Sequence, residues 1–206
     1  MIWMAQLRIP QPWPPFCEMN FAPIRTYLHS VELEYACQQK NIKRAWEFAL
    51  GRALVRYLVA QTGNLCFDGI EISLPSLSPP SLSVNRSPWH LSISHSEGAI
   101  LAAVSRDNSV GVDIQFTSKN RNTSAFITEY SVFKDCTVDT FYSRWVALEA
   151  YAKFNKIAVV ELLNQPFILP TEHRISHGQD NDYCWAAASH QDVQIKELAT
   201  PPFKIK

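Results

Sequence analysis

Three short stretches carry side chains whose types and spacing could do chemistry. Gly111-Val112-Asp113-Ile114-Gln115 sets a carboxylate between two β-branched residues, an awkward place in a strand. Buried without a partner it would be costly, so Asp113 either meets a cation or metal or points into solvent from an edge. Gln115 falls on the same strand face and can supply an amide oxygen. Trp145 to Lys153 places Glu149 and Lys153 four apart, on one face of a helix. That spacing alone is also the commonest surface ion pair. Ser92-Ile93-Ser94-His95-Ser96 puts Ser92, Ser94 and Ser96 on one face of a strand and Ile93 and His95 on the other. A strand ending near Ser94 leaves His95 where it can reach a ligand, although a lone His is more often a packed or exposed residue. His173 and His177 are four apart and would bracket a metal only in a helix. With Gly178 beside them and no third ligand, they read as loop residues.

The elements that must position these groups follow from local pattern. Ile2 to Ile9 reads as a strand, stopped by Pro10, Pro12, Pro14 and Pro15. A helix is predicted from about Ser30 to Gln38. A stronger one runs from Asn41 to Gln61, with Asn41 as N-cap and Gly63 as the C′ residue. Lys40, Lys43, Arg44, Arg52 and Arg56 lie in or just before that segment, against Glu47 alone. It is the clear charge asymmetry of the chain, and its plain reading is a solvated helix face. Pro75 to Pro88 is rich in Ser and Pro and reads as a long loop, a functional flap or an insertion. Strands are predicted at Trp89 to Ser94, Ala99 to Val104 and Val110 to Gln115, together an antiparallel meander. Asp139 opens a helix to about Asn155, and Tyr183 to Ser189 and Val193 to Leu198 read as late strands. Helices interleaved with hairpins give an α+β class.

The whole chain bounds the partners. Its 206 residues carry 19 Lys plus Arg and 19 Asp plus Glu, so the formal net charge is zero. That speaks against a polybasic nucleic-acid binder. The longest clean apolar run, Ala99 to Val104, is far too short to span a bilayer. Met1 to Ala5 lacks the pattern of a secretory signal. The cysteines, Cys17, Cys37, Cys66, Cys136 and Cys184, are odd in number and form no C-x-x-C pair. They are expected to be free thiols in a reducing compartment, so a cytoplasmic location is expected.

Taken together, the three segments and the basic helix resemble the 4′-phosphopantetheinyl transferases. The closer likeness is to the short bacterial holo-acyl-carrier-protein synthase type related to the surfactin-type enzymes. That family carries a helix ending in a Gly-Arg element, an S-x-S-H-S strand, G-(V/I)-D-x-E, and W-x-x-K-E-(A/S)-x-x-K. The matching text is Phe48 to Arg52, Leu91 to Ser96, Gly111 to Gln115 and Trp145 to Lys153, in that order, within a likeness that spans about Asn41 to Phe154. The resemblance implies a phosphopantetheinyl transferase-like fold of two similar α+β halves, 1–110 and 111–206, in a pseudo-twofold arrangement with the site between them. It implies magnesium-dependent transfer of the phosphopantetheine arm of coenzyme A to a serine of an apo acyl or peptidyl carrier protein, serving fatty acid or polyketide biosynthesis. Adenosine 3′,5′-bisphosphate leaves. Asp113, Glu149 and Gln115 match the metal positions. Glu149, or a water it orients, would accept the serine proton, with Lys153 near the phosphates. Ser94 and His95 match positions at the nucleotide's 3′-phosphate end, and Arg44 and Arg52 are candidate phosphate contacts on the basic helix.

The chain departs from the family pattern in three places. Gln115 stands where the family has Glu, which removes a negative charge and implies weaker metal binding or greater reliance on Asp113 and Glu149. Leu148 stands where the family has Lys. The Gly-Lys-Pro element upstream of the S-H strand is missing, with Ser78-Pro79-Pro80 roughly in its place. These departures sustain an alternative, a non-catalytic homologue that binds coenzyme A or a carrier protein. A further reading is an unrelated small α+β binding protein. An acidic carrier would meet a basic surface, for which Lys119, Arg121, Lys134 and Arg144 are candidates beside their plain role as solvated charges. Two halves in one chain would supply the interface internally, so a monomer is expected.

Overall fold

The computed structural model describes residues 1–9, 12–63, 67–75, 79–117, 122–180, 182–198, 201 and 203. The elements run in chain order as β1 (Ile2–Arg8), α1 (Glu18–Phe21), α2 (Ser30–Cys37), α3 (Ile42–Gln61), β2 (Ile70–Ile72), β3 (Leu82–Val84), β4 (Ser87–Ser96), β5 (Ala99–Ser105), β6 (Gly111–Phe116), α4 (Thr123–Glu129), α5 (Val138–Asn155), β7 (His173–Asp180), β8 (Tyr183–His190) and β9 (Ile195–Glu197). Helix is 38% and strand 30%, which makes the class mixed α and β. Both long helices start on side-chain caps. Asn41 accepts the backbone N–H of Arg44 at 3.3 Å, and the Thr137 hydroxyl accepts that of Thr140 at 3.3 Å.

The strands form two sheets. One has the order β2-β3-β4-β5-β1-β9 and the other β6-β8-β7. All pairings are antiparallel except β1 with β9, where Ile2 faces Ile195. The alternation of side chains decides the layering. Ile100, Ala102 and Val104 of β5 pack with Leu50, Leu54 and Leu58 of α3. Ala99, Leu101 and Ala103 turn the other way, onto Val112, Ile114 and Ala187 of the second sheet. Ala186 and Ala188 of β8 then face Val146, Leu148 and Ala150 of α5. The order is helix, sheet, sheet, helix, so β5 is buried along its whole length.

Several expectations are corrected. The meander is broken after β5, because β6 pairs with β8 and opens the second sheet. The Ser- and Pro-rich stretch is not all loop: β3 pairs with β4 from Leu82↔Trp89 to Val84↔Ser87 across a two-residue turn. Asn85 and Arg86 there have φ of 50° and 66°, which is type I′ geometry. Ser76, Leu77 and Ser78 of that stretch lie outside the described residues. His173 and His177 sit in strand β7, not in a loop or helix. Gly51 and Arg52 lie in the middle of α3, as the helix read over 41–61 requires, whereas the family pattern has them at a helix end. The segment 111–206 also returns β9 to the first sheet. Cys17, Cys37, Cys136 and Cys184 are free thiols, and Cys66 lies outside the described residues. Among those residues, no helix is long and apolar enough to cross a membrane.

Candidate active site

The seam between the sheets is made by side chains. The open edge of β6 points the N–H groups of Val112, Ile114 and Phe116 away from β8 and toward β4. There they meet hydroxyls instead of carbonyls. Ser92 Oγ accepts from Val112 at 2.9 Å, Ser94 Oγ from Ile114 at 3.3 Å and Ser96 Oγ from Phe116 at 3.0 Å. The alternation that puts the serines on one face thus satisfies an edge that would otherwise strand its donors.

Asp113 is fixed at this seam, 5% exposed. Ser94 donates its hydroxyl to Asp113 Oδ1 at 2.6 Å, and Lys153 Nζ donates to the same oxygen at 2.7 Å. Lys153 also donates to the Val112 carbonyl at 3.1 Å. Of the sequence alternatives for Asp113, the partner is a cation, supplied by α5. Glycine makes that reach possible. A Cβ on Gly111 would lie 2.0 Å from the Ala150 carbonyl oxygen and 2.4 Å from the Phe154 nitrogen, so only a glycine lets α5 press its backbone onto β6.

A cleft of about 290 Å3 opens here, lined by Ser94, His95, Asp113, Gln115, Trp145, Glu149 and Lys153, with Ile93 and Ile114. Glu149 lies one turn before Lys153 and is half-buried. Burial, and then the nearby Asp113 carboxylate, raise its pKa above the ordinary 4.5, with Lys153 pulling part of the way back. Lys153 serves Asp113 as its hydrogen-bonded partner, so the plain reading of the Glu149–Lys153 spacing as a surface ion pair does not hold. Gln115 donates its amide nitrogen to Ser96 Oγ at 3.0 Å. Leu148 is wholly buried in the α5 core, on a different helix face from the cleft.

A second cleft of about 490 Å3 adjoins the first and shares Ile93 and His95 with it. Its other lining residues include Arg44, Glu47, Phe48, Gly51 and Arg52 of α3, Tyr35 and Pro80. Arg44 is exposed, and its guanidinium has no partner among the described residues. Arg52 differs: it is 4% exposed, donates to the Ser73 carbonyl at 2.6 Å, lies 3.5 Å from Glu32 and covers the Phe48 ring. It builds the wall more than it offers a free fork. The Ser94 hydroxyl is likewise engaged in the seam. His95 stands half-exposed with Nδ1 3.3 Å from Glu47 Oε2. Glu47 is 5% exposed and had no signal in the sequence beyond being the lone acid on a basic helix. Its other oxygen is buried without a hydrogen bond, 3.9 Å from Lys43 Nζ.

Among the described residues no three His, Cys, Asp or Glu side chains gather closely enough to hold a metal by themselves. The cleft instead offers two carboxylates and an amide oxygen. Of the basic-surface candidates, Lys134 is exposed, while Arg144 is half-buried beside Cys136 and Phe167 in a separate cavity of about 500 Å3. Lys119 and Arg121 lie outside the described residues. No family model matches this chain, and no curated protein matches it.

Proposed function

We propose that this protein transfers the 4′-phosphopantetheine arm of coenzyme A to a serine of an apo acyl or peptidyl carrier protein. The observation that carries the reading is the junction of two clefts at His95. One is large enough for a nucleotide and has a free arginine, and the other holds Asp113, Glu149 and Lys153 together. The specific fold belongs to the same proposal. Helix α3 on one sheet and α5 on the other, set back to back, suit two similar α+β halves with a site at their seam.

The reaction breaks the pyrophosphate P–O bond of coenzyme A, forms a P–O bond to the serine and releases adenosine 3′,5′-bisphosphate. Glu149 takes the serine proton, a role suited to a half-buried carboxylate with a raised pKa. Lys153, held by Asp113, presents positive charge to the phosphates. Arg44 and His95 hold the nucleotide end in the larger cleft. Arg52 orders that wall, and Ser94 keeps Asp113 oriented.

The donor set suits magnesium. Asp113 and Glu149 are mutually repelling carboxylates in one cleft, and Gln115 has its amide oxygen left over once its nitrogen is bound to Ser96. Two carboxylates completed by substrate phosphates and water are what this hard cation takes. When bound, magnesium would neutralise charge on the pyrophosphate. The same reading carries a cytoplasmic monomer.

The test is incubation with coenzyme A, magnesium and a panel of apo carrier proteins, read by mass spectrometry for the phosphopantetheine gain. Asp113→Asn should nearly abolish the gain, and an unimpaired Asp113→Asn enzyme sinks the site. A second reading, a binding homologue without turnover, draws on Leu148: where the family pattern has a lysine, its side chain is apolar and committed to the core. Measurable coenzyme A binding with no mass gain on any carrier would favour it.

A further inference from the structure

His173 and His177 do not face each other across a metal, but His173 has another partner. In the β7–β8 pair it stands directly opposite His190, while His177 stands opposite Ala186. Gln191 N donates to the Glu172 carbonyl at 2.7 Å, so residues 172 and 191 form a hydrogen-bonded pair. The next pair, His173 and His190, is then of the non-hydrogen-bonded kind, in which side chains come closest. His173 N turns instead to the Pro170 carbonyl at 3.0 Å.

The two imidazoles are 5.3 Å apart between ring centres, with planes at 59°. Both stand edge-on to Phe154, at 4.9 Å and 5.1 Å, which fixes their spacing from one side. Metal–nitrogen bonds of about 2.1 Å place a metal roughly 3.2 Å from each ring centre, and a tetrahedral angle then separates the centres by about 5.2 Å. The observed spacing agrees. His173 Nδ1 is buried with no hydrogen-bond partner, and His190 is exposed to solvent.

We propose that His173 and His190 chelate a divalent transition-metal ion across the β7–β8 pair, with water completing the coordination. The site uses neutral imidazoles, which suit nickel, copper and zinc and leave magnesium to oxygen ligands. It is separate from the Asp113–Glu149 cleft and does not depend on the transfer activity. Its effect would be to pin an edge strand to its neighbour.

Calorimetric titration of chelator-dialysed protein with Ni2+, in buffer containing excess Mg2+, tests it. The expected result is a binding event, accompanied by a rise in melting temperature, that Mg2+ does not compete away. His190→Ala, at an exposed position, should weaken it by about tenfold or more. His173→Phe, which keeps a ring against Phe154, should do the same, while His177→Ala should leave it unchanged. Native protein that binds Ni2+ no more tightly than His190→Ala, or a loss confined to His177→Ala, overturns the proposal.

Discussion

Lys153 Nζ donates to Asp113 Oδ1 at 2.7 Å, and this bond ties the helix that carries Glu149 to the strand that carries the other carboxylate of the cleft. Cation and acceptor come from different halves of the α5–β6 contact. The charge balance at the site therefore depends on a packing distance, set by Gly111, as much as on residue type.

Glu149 is the group whose titration should be visible. Its folded pKa lies above its ordinary value of 4.5. Between those two pH values the folded chain binds more protons than the unfolded chain, so stability falls as pH rises through this window. Glu149→Gln removes that loss. The variant should melt higher than the native protein at pH 7, the two should converge below about pH 4.5, and carrier modification should be nearly abolished. Under the proposed transfer, the acidic limb of the native protein's rate profile should lie above the usual carboxylate range. A variant that melts lower at pH 7 would contradict the assignment.

Gln115→Glu adds the charge that the family pattern carries. With Asp113 and Glu149 already in the cleft, a third carboxylate should lower the magnesium concentration needed for half-maximal rate. At low magnesium it should cost some stability through like-charge repulsion. An unchanged magnesium requirement would show that Gln115 does not face the cation.

Arg44 and Arg52 share a cleft but should fail differently. Arg44→Ala should raise the KM for coenzyme A and leave the stability within about 0.5 kcal/mol of native, as for an exposed side chain. Arg52→Ala removes the hydrogen bond to Ser73 and one of two cations beside Glu32, which keeps Arg56 at 2.7 Å, and should cost about 2 kcal/mol. Chemical denaturation beside coenzyme A titration separates the two.

Gly111→Ala should be worse than its size suggests. The added methyl meets helix backbone, not a flexible side chain. The helix must lift, at a cost of about 3 kcal/mol, the upper end of overpacking. Lys153 would then be drawn off Asp113. The measurement is unfolding midpoint together with activity, and both should fall.

Much of this was legible from local pattern. The long helix from Asn41 announced itself through its cap and apolar spacing, and a helix opening at Asp139 anticipated α5, which starts one residue earlier on the Thr137 cap. Asp113 could be singled out because a carboxylate between β-branched residues is an awkward placement, whereas Glu149 and Lys153, spaced like a common surface pair, gained weight only when read together with the other two segments. What escaped was set by tertiary contact. β7 reads His-Arg-Ile-Ser-His-Gly-Gln-Asp, with one β-branched apolar residue, and owes its strand to pairing with β8. The break between β5 and β6 has no local signal, since three serines can line a solvent face as readily as they can cap the edge of another sheet. The partners of Arg52 and His95 come from α2 and α3, out of reach of any short-range rule.

The parallel pairing of β1 with β9 has a consequence for the order of events during synthesis. Among the described strands β1 is made before all the others and β9 after them, and Ile2 meets Ile195 between them. While the chain is still emerging, β1 can pair with β5 but must wait with its other edge open. Completion of the first sheet is therefore a late, non-local step. Until it occurs, the nascent chain presents an unpaired apolar strand edge to its surroundings, the surface that a holding chaperone would cover.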